Sequence, residues 1–182
     1  LSLNMKYLAL FVLVSLFFVS YANQDHVYNW DEPADGKDLY TSLQDEVDKI
    51  FVIFWYNKDD ANAPLKKENE ATRNTLKSKV LASHPDIVYV EIDLKSEKGK
   101  KFESLYKDVL QLDAAKLEKA PIVAVVNNGE GAWIHGKGTV DEVSESVDIF
   151  IHEAKDRQQG GTGYVYGSDK ARKEGSVSVG SK

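Results

Sequence analysis

With 182 residues, 42% of them apolar and 29% charged, the chain has room for one globular domain with tails and for a sizeable core. Its formal net charge of −6, with Lys and Arg interspersed among Asp and Glu, argues against nucleic acid or an anionic membrane surface as a partner. It holds no cysteine, which removes disulfides, thiolate metal sites, cysteine nucleophiles and dithiol redox chemistry together.

Met5-Lys6 opens onto Tyr7 to Tyr21, an uncharged apolar run, and Ser20 and Ala22 are the small residues of a cleavage site. Residues 1–22 therefore read as a secretory signal peptide cut after Ala22, with Leu1 to Asn4 lying before an initiator-like Met5. The run is shorter than the ~20 residues a spanning helix needs, but if retained it would serve as an N-terminal membrane anchor. The expected location is the secretory pathway, in the endoplasmic reticulum lumen or outside the cell. The alternative is a membrane-anchored form, the mitochondrial inner membrane included, with the N-terminal segment as its one membrane contact. No Asn-x-Ser/Thr sequon and no lumenal retention signal accompanies it.

Residues 23–37 form a polar, turn-rich extension. From Asp38 to Lys49, Leu39, Leu43 and Val47 fall four apart, a helical stripe that Asp38 is placed to cap. Ile50 to Trp55 is a continuous run of β-branched and aromatic residues, the pattern of a central strand buried on both faces. After the polar turn Tyr56 to Asn62, a helix is expected over Ala63 to Leu81, with Pro64 in its first turn and His84-Pro85 beyond its end. Ile87 to Leu94 reads as a strand, and Gly99 to Leu110 as a helix with Phe102, Leu105, Tyr106 and Val109 on one side.

Ala120-Pro121 leads into a fully apolar strand through Val126. Asn127-Asn128-Gly129-Glu130 then predicts a hairpin with a primed turn into Ala132 to His135. Val140 to Ala154 is a last amphipathic helix, which closes a domain over 38–157. Residues 158–182 are rich in Gly and Ser without apolar periodicity and read as a flexible tail, in which Tyr164, Val165 and Tyr166 suit a segment that orders on a partner. The order α, β, α, β, α, β-β, α predicts a three-layer α/β/α domain around a mixed central sheet.

That order and three local features resemble the thioredoxin-like fold family. They are Phe54-Trp55 before a polar turn and an early helix proline, Lys119-Ala120-Pro121 opening the apolar strand, and the Asn-Asn-Gly-Glu hairpin with Gly136 six residues on. The resemblance spans Asp38 to Ala154. It implies a cis-proline at Pro121 and, beside it, backbone that docks extended peptide. It places the family's Cys-x-x-Cys within Lys58 to Asn62, where no thiol exists, and its buried acid at Ile53. Both halves of the redox chemistry are gone together.

The expectation is thus a redox-inactive, non-catalytic module with no cofactor and no metal, acting as a scaffold or protein-binding domain, for example as an accessory subunit of a membrane-associated complex. The alternative is a lumenal helper that binds unfolded peptide in the manner of non-catalytic disulfide-isomerase domains. The groove for a protein partner would comprise Trp55, Tyr56, Asp59, Asp60, Ala120 and Pro121. Asp59 and Asp60 read otherwise as a solvated acidic start to the next helix. His26, His84, His135 and His152 show no ligand spacing and are expected at the surface or rim, and no phosphate loop or serine elbow is present.

Overall fold

A computed structural model describes residues 29–30, 32–136, 138–165 and 168–179. The signal or anchor segment 1–22, residues 23–28 and 31 of the extension that follows it, Tyr166 and the last three residues lie outside the described residues. Among the described residues no helix is long and apolar enough to cross a membrane.

The run expected to be a central strand is one. β2 (Ile50–Tyr56) has every residue buried up to Tyr56, lying parallel to β3 (Val88–Asp93) and antiparallel to β4 (Ile122–Asn127). A two-residue β1 (Asn29–Trp30) extends the parallel side, and β5 (Glu130–His135) pairs antiparallel with β4. With β6 (Gly175–Ser178) the sheet has six strands in the order β1-β3-β2-β4-β5-β6.

Strand periodicity splits the core in two. Phe51, Ile53 and Trp55 join Leu39 and Leu43 of α1 (Gly36–Asp45) and Phe102, Leu105 and Tyr106 of a helical stretch made of a 3-10 turn (Gly99–Phe102) and a π turn (Leu105–Val109). Val52 and Phe54 face the other way. They pack on the helix that runs as α2 (Ala63–Thr75) into a π turn (Leu76–Val80), and on α3 (Val140–Gln158) through Val143, Val147, Phe150 and Ile151. The result is a three-layer α/β/α fold, with helices on both faces of a mixed sheet.

Local signals were mostly where the sequence put them. Asn128 and Gly129 have φ of 49° and 73°, the paired left-handed conformations of a primed hairpin turn. Three details differ. The cap of α1 is Asp35, whose carboxylate accepts from the Lys37 and Asp38 amides, and Asp38 itself accepts from the Ala34 amide. α1 ends at Asp45, so Val47 leaves the stripe and stands 53% exposed. The cap of α2 is Asn62, not the aspartates before it.

The larger correction concerns the tail. α3 continues to Gln158, and residues 175–178 form β6 rather than a featureless end, in register with β5 from Glu130↔Ser178 to Trp133↔Gly175. Only alternate residues of Gly-Ser-Val-Ser-Val face the core, so Val177 and Val179 are buried although no apolar run announces them. Gly175 is needed at the strand's start, because a Cβ there would sit 2.3 Å from the Trp133 Nε1.

Candidate functional site

The turn after β2 lies where the resemblance places the family's active site. The register Trp55↔Ile122 sets the end of β2 beside the start of β4, and Asn62 begins α2 immediately beyond. In place of a dithiol the turn carries hydrogen bonds. The buried Asn57 side-chain amide donates to Glu118 Oε1 at 3.0 Å, and the Asn57 backbone carbonyl accepts from the buried Asn69 side-chain amide at 3.0 Å. The Lys58 amide donates to Asp93 at 2.9 Å. Asp59 accepts from the Ala61 amide and shares Lys95 with Glu118, each at 3.5 Å.

The six groove residues named from sequence share one end of the sheet without forming one open surface. Trp55 is 0% exposed, with its ring edge-to-face on Tyr106 at 5.2 Å in the α1-side core. Tyr56, one residue on, faces the opposite side, 5.5 Å from the Phe54 ring and 4.8 Å beneath the Arg73 guanidinium. Burial lifts the Tyr56 phenol above its ordinary value, against the opposing pull of Arg73. Ala120 and Pro121 are both buried, and the Gly136 amide donates to the Pro121 carbonyl at 2.7 Å. A side chain on Gly136 would sit 2.9 Å from Pro121 Cδ, so the proline ring is covered by the hairpin. The Ala120–Pro121 bond is trans, not cis.

Open space lies instead toward β3. A cleft of about 350 Å³ is bounded by Tyr56, Lys58, Asp59, Asp60, Lys66 and Arg73. A second of the same size, between β3 and the 99–102 turn, shares Tyr56, Lys58 and Glu91 with it. Glu91 is held by Arg73 at 2.9 Å and Lys77 at 2.7 Å, so its negative charge is compensated within the floor. Asp60, Lys58 and Lys66 stand exposed at the mouth. With no thiol in the chain, dithiol chemistry is excluded here, and this end offers groups for ion pairing and hydrogen bonding. Ile53, in the position where the resemblance expects an acid, is sealed among apolar neighbours.

The histidines depart from expectation. His84 and His135 are buried, not at the rim, and His84 meets His152 with ring centroids 5.0 Å apart. His26 lies outside the described residues. The Asp148/His152 spacing of four on α3 was legible in the sequence; the approach of His84, 64 residues earlier than Asp148, was not.

No protein-family model matches the chain, and no curated protein matches it. Among solved structures it is similar to thioredoxin O2 from Arabidopsis thaliana in the oxidized state, with a TM-score of 0.45 and 11% identity, over 67% of this chain and 95% of that one.

Proposed function

We propose that the chain is a non-catalytic, protein-binding module whose partner surface is the mixed-charge cleft around Tyr56, Lys58, Asp59, Asp60, Lys66 and Arg73. One observation carries this reading: at the end of the sheet where the fold family works, the peptide-docking elements Trp55, Ala120 and Pro121 are buried, while the cleft beside them is open. The absence of any thiol supports a binding role over a redox one. The apolar N-terminal run supports delivery to the secretory pathway, or anchoring as an accessory subunit of a membrane-associated complex. The mature N-terminus, read by mass spectrometry, separates the two: Asn23 means a cleaved signal and an intact Met5 means an anchor.

The surface itself is tested with a photo-crosslinking residue placed at Lys66, with Glu103 on the opposite layer as control. A discrete adduct from position 66 and none from 103 is the expected outcome; equal or absent adducts overturn the assignment. Reduction of insulin above background would overturn the non-catalytic reading. The alternative, a lumenal helper that holds unfolded peptide at Ala120-Pro121, predicts amide shifts there on peptide titration. The cleft reading predicts none at those positions.

A further inference from the structure

At the opposite end of the parallel strands from the candidate cleft, three side chains converge that the binding reading does not use. His84 follows the last turn of the α2 helix, and its Nε2 lies 2.8 Å from Asp148 Oδ1. One turn further along α3, His152 Nε2 lies 3.7 Å from Asp148 Oδ2. One ligand atom from each of the three falls within 4.8 Å of the others. We infer that His84, Asp148 and His152 form a site for a zinc-class divalent transition metal that clips the end of the α2 helix to α3.

The donor set selects the ion. Two imidazoles with one carboxylate match the three protein ligands of open zinc sites, whereas calcium and magnesium ask for oxygen alone. Tetrahedral zinc with bonds of about 2.0–2.1 Å sets its ligand atoms about 3.3 Å apart, a value the present separations bracket. The site is half preorganised. His84 is buried, and its backbone is tied by its amide to the Leu81 carbonyl at 3.1 Å and by its carbonyl to the Ile87 amide at 3.3 Å. The Asp148 and His152 side chains are 41% and 50% exposed. They are therefore free to close by rotamer adjustment and leave a fourth position to water.

Lys155 regulates the site. Its ammonium lies 3.2 Å from His84 Nδ1 and 2.8 Å from Asp86 Oδ1. An ammonium only donates, so Nδ1 accepts and the imidazole hydrogen sits on Nε2, directed at Asp148. A metal on Nε2 requires that hydrogen to move to Nδ1, and Lys155 then has to withdraw onto Asp86. The metal-free tautomer is thus held by a cation that binding must displace, so removing Lys155 should tighten the site.

The test is calorimetric titration of ZnCl2 into tag-free full chain near neutral pH, with folding of each variant checked by circular dichroism. One ion per chain, with a rise in Tm, is expected for the wild type. His152→Ala and Asp148→Asn, both at exposed positions that preserve the core, should weaken binding by about tenfold or more. Lys155→Met should strengthen it, and His26→Ala should leave it unchanged. Absence of zinc uptake, uptake insensitive to His152→Ala and Asp148→Asn, or loss of uptake in His26→Ala overturns the site. Unchanged or weaker binding in Lys155→Met overturns the tautomer argument.

Discussion

The Asn57 side chain donates to Glu118 at 3.0 Å and so fastens the turn after β2 to the segment that leads into β4. The Asn57 backbone carbonyl receives the Asn69 side-chain amide from the first turns of α2. One residue therefore ties together three elements: the turn after β2, the segment before β4 and α2. The two bonds differ in setting. Glu118 is more than half exposed, whereas Asn57 and Asn69 are both buried. Asn57→Ala should cost about 1 kcal/mol, and Asn69→Ala, which strands a buried carbonyl, about 1–3 kcal/mol. Urea denaturation of the two variants checks the order; equal effects would mean the turn is not held from the α2 side.

Ile53 gives a sharper prediction. It is wholly buried between Phe51 and Trp55 on the α1-side face, in the middle strand of the sheet. A carboxylate there would have no thiol to serve and no cation to pair with. Ile53→Asp should destabilise the fold by more than about 3 kcal/mol, while Ile53→Val should cost about 0.5–1.5 kcal/mol. A near-wild-type urea midpoint for Ile53→Asp would show that the strand still accommodates the acid.

How much of this was legible in the sequence depended on the length of the signal. Ile50 to Trp55 and Ile122 to Val126 are long apolar runs, so the central strands were fixed by composition, and Asn128-Gly129 fixed the hairpin between β4 and β5. β6 was missed because two valines among glycines and serines carry too little apolar content to register, and burial there is supplied by Trp133 and the hairpin, which are distant in sequence.

The site was less legible than the fold. Trp55 and Tyr56 are neighbours in one strand, and the two-residue period alone sends them to opposite faces. They could not line a single groove. The sealing of Pro121 by Gly136, and the meeting of His84 with His152, come from tertiary packing that no local pattern encodes.

β6 makes its own prediction. The Val179 side chain is 1% exposed and its amide donates to the Gly129 carbonyl, so the last described residue closes onto the hairpin turn. Val179→Ala removes two buried carbons and leaves a cavity, for a cost of about 2 kcal/mol. Val47→Ala, at an exposed site, should stay within about 0.5 kcal/mol. Amide exchange provides a second readout: the Val179 amide should be protected to a degree comparable with β5, and rapid exchange would show that β6 is not part of the folded unit.

His135 predicts how stability responds to acid. Its Nε2 lies 2.9 Å from the Lys116 carbonyl, which only accepts, so the neutral imidazole carries its hydrogen on that nitrogen. Lys116 and Glu174 also act on the ring, and Arg172 donates to the His135 carbonyl. Burial pushes the imidazole below its ordinary value of 6.5, against the raising influence of the carbonyls and of Glu174. The sign follows from linkage. Above pH 6.5 both folded and unfolded states are neutral at this position and its contribution is complete. As pH falls below that value the unfolded chain takes up the proton first, and stability declines until the folded imidazole titrates as well. His135→Gln can keep a donor toward Lys116 without titrating. The difference in unfolding free energy between wild type and His135→Gln should therefore shift against the wild type as pH falls from about 7.5 to about 5.5. A difference independent of pH over that interval would show that the buried ring titrates as it does in the unfolded chain.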